Sequence, residues 1–119
     1  MSTITIILAS LAAVEQLYIM YIETFATQSK ATQRVFNLSE KEIANETVVS
    51  LFMNQGIYNG IIGAFILYGL FFAHGGEIVA LFLINVILAA IYGAITVDYK
   101  ILVKQGGFAI LALISLLIL

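Results

Sequence analysis

The sequence predicts an all-α, four-helix transmembrane bundle with both termini outside and a helical cytoplasmic connection between the first two helices. Three observations predict it. Four apolar runs, residues 3–26, 51–73, 78–97 and 101–119, fill most of the 119 residues. Each is close to the ~20 residues a helix needs to cross ~30 Å of hydrocarbon. Charged residues make up only 10% of the chain, against about 25% in soluble domains, which leaves too little polar surface for a water-exposed fold. All five Lys and Arg residues fall in the first and third connections, at positions 30, 34, 41, 100 and 104. In a four-span chain these connections share one side, and the positive-inside rule makes that side the cytoplasm.

The chain reads as one domain over residues 1–119, with helices at about 3–26, 40–73, 78–97 and 101–119. The first run is too long for a signal peptide, lacks a basic flank and carries Glu15 and Glu23 within it. The first connection holds Ser39-Glu40-Lys41-Glu42, in which Ser39 is an N-cap and Glu42 stands at the capping-box position. No breaker follows, so this helix is expected to run straight into the second span. Proline is absent, and nothing forces the broken helices many transporters use to expose backbone at the midplane. Glycines at 56, 60, 63, 69 and 93 are expected to mark close helix packing.

The residues that break the apolar rule are the functional candidates. On the first helix these are Glu15, Gln16, Tyr18 and Glu23. Glu15 lies about halfway along the span, where an ionised carboxylate facing lipid costs several kcal/mol, so it is expected to face the bundle. Gln16 and Glu23, seven residues apart, nearly superpose on one face. On the second helix Asn54, Gln55, Tyr58 and Asn59 fall at i,i+4 spacings on one arc. Three amides and a phenol in six residues must meet polar partners, because each unsatisfied amide in hydrocarbon is expensive. The third helix adds Asn85 and Tyr92, and the fourth opens with Gln105. Most of the set falls towards the cytoplasmic half, describing a polar pocket open to that side.

Other chemistry is poorly supplied. Without cysteine there is no disulfide and no thiolate. His74 has at most one acidic neighbour in its turn, too few ligands for a metal, and no phosphate-binding loop or nucleophile elbow is present. No cofactor is expected, and no basic footprint for nucleic acid exists.

Glu15-Gln16-Leu17-Tyr18 with Tyr21 and Glu23, then Asn54-Gln55-Gly56-Ile57-Tyr58-Asn59-Gly60, Tyr92-Gly93-Ala94 and Gln105-Gly106, resemble a family of small uncharacterised bacterial membrane proteins. That family often has histidine after the first glutamate, where Gln16 stands here. The resemblance implies a four-helix fold and a multi-pass place in the bacterial plasma membrane. A looser likeness, in architecture only, is to the small multidrug resistance transporters, which carry one membrane-embedded glutamate in the first helix.

The expected function is binding or transport of a small amphiphilic or cationic molecule, with Glu15 as the proton-exchanging group. One alternative is a membrane enzyme modifying a lipid or isoprenoid. It ranks lower because Glu15 and Glu23 lie ~12 Å apart along a straight helix. Another is a structural subunit without ligand. The expected partners are membrane lipid, a small-molecule ligand and further copies of the chain, joined through the glycine and alanine faces.

Overall fold

The computed structural model describes all 119 residues, and every regular element is helical. Helix α1 (Thr3–Met20) continues as one π-helical stretch, Tyr21–Phe25. Two short helices follow, α2 (Lys30–Phe36) and α3 (Glu40–Ile43). Three long ones complete the chain: α4 (Glu46–Phe71), α5 (Gly76–Thr96) and α6 (Ile101–Ile118).

The four long helices form a ring in which α1 packs on α4 and α6, and α5 packs on the same two from the other side. Each turns one periodic stripe inward. On α5 the buried stripe is Val79, Leu83, Val86 and Ala90, and on α6 it is Gly106, Ala109, Ala112 and Ser115. The centre of the core joins Ala9, Ala12 and Ala13 of α1 to Ile66 and Leu70 of α4, to Val79, Leu83 and Val86 of α5 and to Ala109 and Ala112 of α6. Most remaining large apolar side chains point outward, among them Ile7, Val14, Leu81, Leu88, Leu111 and Leu117. Soluble monomers rarely expose large contiguous apolar patches, and this surface is compatible with a membrane protein.

Three stretches are long and apolar enough to cross a membrane: Thr3–Phe25, Gly76–Thr96 and Ile101–Ile118. The α4 helix is the longest of all, yet the amides and tyrosine at positions 54–59 dilute its apolarity and keep it out of that group.

The glycines work inside the chain. A Cβ at Gly63 would lie 2.8 Å from the carbonyl oxygen of Ala13 and 3.1 Å from Gln16 Cβ, and one at Gly56 would lie 2.9 Å from Glu23 Cβ. Gly69 abuts Val79, Gly93 abuts Ile101 and Gly106 abuts Ala90. The small-residue faces expected to join copies of the chain are thus filled by the chain's own helices. Only Gly107 has nothing within 4 Å of where its Cβ would stand.

The first connection differs from expectation at one point. The Ser39–Glu42 capping box forms with both hydrogen bonds in place, but α3 does not run into α4. The Asn45 side chain accepts from the backbone of Thr47 and Val48 and starts α4 afresh. An Asx cap competes with helix continuation, so the second long helix begins at Glu46 and not near 40.

Candidate functional site

The site is built around the end of the first long helix. Within the π-helical turn the Ala26 N–H donates to the Tyr21 carbonyl, five residues back, at 2.9 Å. Such a wide turn loosens the ladder and re-aims side chains, and π-turns recur at functional sites. Threonines secure it. Thr24 donates to the Met53 carbonyl at 2.9 Å and Thr27 to the Glu23 carbonyl. Thr32 of α2 reaches the carbonyls of Ile22 and Ala26, each at 2.8 Å. The α2 helix, capped by Ser29 and closed by Asn37 in the left-handed region at φ 54°, is thereby folded back against the turn.

Glu23 is the product of this arrangement. Its side chain is only 2% exposed, and the Asn59 amide of α4 donates to its Oε1 at 2.5 Å. Gly56 lets α4 approach closely enough for that bond. Beside the pair lies a cavity of about 490 Å³, within the ~300–1,000 Å³ usual for small-molecule sites. Its polar lining is Glu23, Gln55, Asn59, Tyr92 and Gln105, and its walls include Phe36, Leu51, Phe52, Val97 and Ile101. Phe36 and Phe52 meet edge to face with ring centroids 5.0 Å apart. No lining residue is Lys or Arg. Cations stand nearby instead: exposed Lys104, next to the lining residue Gln105, places its ammonium 3.4 Å from the carbonyl oxygen of exposed Arg34, two residues before Phe36.

Five of the eleven candidates therefore come together: Glu23, Gln55, Asn59, Tyr92 and Gln105. The other six do not line the cavity. Glu15 is half-buried, with one carboxyl oxygen enclosed and unpartnered, and Gln16 is buried with its amide nitrogen unpartnered. Tyr18, Tyr58 and Asn85 lie on exposed faces. Asn54, also exposed, donates to the Ser50 carbonyl of its own helix. The single polar pocket expected from all eleven candidates is thus built from five of them, and Glu15 is not among the five. The reason is the phase of α4. Its glycine face meets α1, which leaves Gln55 and Asn59 at the edge of that contact and turns Asn54 and Tyr58 outward.

The apolar walls went unread in the sequence. Phe36 and Phe52 belong to separate helices, α2 and α4, and the Thr32 hydrogen bonds help hold α2 back against the π-helical turn. The Ser29 cap is the one local signal that a helix starts there.

A family model described as "Protein of unknown function (DUF1304)" matches residues 10–117. A protein of Lactococcus lactis subsp. lactis (strain IL1403), described as "Uncharacterized protein YpaA", is 55% identical over 116 residues, which cover 97% of this chain and 98% of that protein. No solved structure matches the chain.

Proposed function

The chain belongs to the DUF1304 family, and from that premise and the geometry above we propose that it binds or transports a small amphiphilic or cationic molecule at the Glu23 cavity. In this reading the protein is a multi-pass protein of the bacterial plasma membrane. Four helices span, both termini lie outside, and the cavity opens to the cytoplasmic side, where all five basic residues gather.

One observation carries the reading: a carboxylate only 2% exposed, held on one oxygen by Asn59, lines a cavity with no basic residue in its walls. A buried carboxylate without a positive partner is expensive, and an entering cation supplies that partner. The lining also includes the rings of Phe36, Phe52 and Tyr92, and the face of an aromatic ring attracts an alkylated ammonium. The proton-exchanging role that the sequence suggests for Glu15 passes to Glu23, the carboxylate that lines the cavity. The lipid-modifying enzyme, which rests on Glu15 and Glu23 acting as a pair of carboxylates, ranks below this reading because Glu15 is absent from the lining.

Equilibrium dialysis of detergent-purified protein with dodecyltrimethylammonium tests the reading. Binding is expected to saturate, and Glu23→Gln is expected to weaken it about tenfold, or ~1.4 kcal/mol. Glu77→Gln, in the opposite turn, should leave it unchanged. Equal affinity of Glu23→Gln and the parent protein would sink the proposal.

A further inference from the structure

The cavity lies between two helices that part from one another. Near their shared turn α4 and α5 are in contact, with Phe65 and Phe82 ring centroids 5.2 Å apart and Gly69 against Val79 and Ile78. At the basic end both helices line the cavity, through Leu51 and Gln55 on one side and Ala89 and Tyr92 on the other. All four of these residues are exposed. The space is therefore a cleft open along the side of the bundle, where a spanning protein meets lipid.

Its charges are divided. Glu23 and Asn59 lie within, paired by a hydrogen bond. Outside the lining α6 and α2 approach one another, and the ammonium of exposed Lys104 lies 3.4 Å from the backbone carbonyl oxygen of exposed Arg34, not from a carboxylate. A group carrying a positive charge at its tip and a negative charge one bond-length series behind it would satisfy both zones, and two apolar chains would extend along the open side.

We propose that the occupant is an aminophospholipid, entering sideways between α4 and α5. Its ammonium pairs with Glu23 inside the cleft. Its phosphate reaches the exposed cations Lys104 and Arg34 outside the lining, where hydrogen bonds are charge-assisted and so stronger than neutral ones. Its acyl chains lie along Leu51 and Tyr92. This rests on the cation-binding reading above and names the ligand class of the same site.

Native mass spectrometry of the full chain in mild detergent separates the two claims. The probes are dioleoylphosphatidylethanolamine, dioleoylphosphatidylglycerol and dodecyltrimethylammonium. The parent protein is expected to retain the ethanolamine lipid about tenfold more than the glycerol lipid. Glu23→Gln should erase that preference. The parent protein should also retain the ethanolamine lipid over dodecyltrimethylammonium, and the double variant Arg34→Gln, Lys104→Gln should erase that second preference. Both of its positions are exposed, so this variant keeps the test informative should the buried Glu23→Gln fail to fold. Equal retention of the two lipids by the parent protein, or preferences unchanged in the double variant, overturns the aminophospholipid. If dodecyltrimethylammonium still binds in a Glu23-dependent way, the cation site survives that result. If it does not, both readings fall together.

Discussion

Glu23 and Asn59 meet across the α1–α4 contact, and the bond between them depends on residues with no side chain at all. At Gly63 any Cβ collides with a backbone oxygen, which cannot rotate away. Gly63→Leu is therefore expected to destabilise the protein by ~1–3 kcal/mol or more, the usual scale of overpacking, read as a lowered thermal midpoint in detergent. Gly107→Ala meets nothing and removes a flexible residue from a helix interior, so it should raise stability by up to ~1 kcal/mol. Asn59→Leu leaves a buried carboxylate oxygen of Glu23 without its donor, at ~1–3 kcal/mol, and should impair cation binding as well. At this scale the sequence was partly legible. The seven-residue spacing put Gln16 and Glu23 on one face of the first helix, and that face is buried. Which of the two carboxylates owned the cavity was not legible, because the cavity lining comes from five separate segments.

At the scale of elements, the link between α2 and the π-helical turn holds the site together. Thr32→Val keeps the shape of the side chain but removes both hydrogen bonds to the turn. Amide exchange over residues 30–36 should accelerate in that variant while the core of α5 stays protected. The α3 helix offers a second test. The Glu42 carboxylate accepts from the Ser39 backbone N–H at 3.0 Å, which holds its pKa below the usual carboxylate value. A folded value below the unfolded one means the cap is at full strength above the unfolded value of about 4.3. It is lost as pH falls through the folded value. Protection of the Ser39 and Glu42 amides, corrected for intrinsic rates, should therefore drop between pH 6 and pH 2. Glu42→Gln, which keeps an acceptor but does not titrate, should show no such drop.

For the whole molecule, orientation is the outstanding expectation, and the absence of native cysteine makes it simple to test. Single substitutions Ser2→Cys, Ser39→Cys and Gly75→Cys each report one position to a membrane-impermeant maleimide. Ser2→Cys and Gly75→Cys should label in intact cells, and Ser39→Cys only after permeabilisation. Labelling of Ser39→Cys from outside would reverse the proposed topology and put the Glu23 cavity on the other face of the membrane. Association between copies needs a surface other than the glycine stripes, since those are occupied within the chain.

Some of this protein was determined by sequence alone. Apolar runs of span length predict helices, since a backbone in hydrocarbon would have no other partner than itself, and every regular element is helical. Short-range capping was equally readable, because Ser39 and Glu42 bond within one turn. What only the tertiary structure decided is the rotation of each helix about its axis and the course of the first connection. A polar arc and a glycine face sit side by side on α4, and both were eligible to meet α1. Close backbone packing selected the glycines. That choice put Asn59 on Glu23, sent Asn54 and Tyr58 outward, and left Glu15 outside the cavity lining.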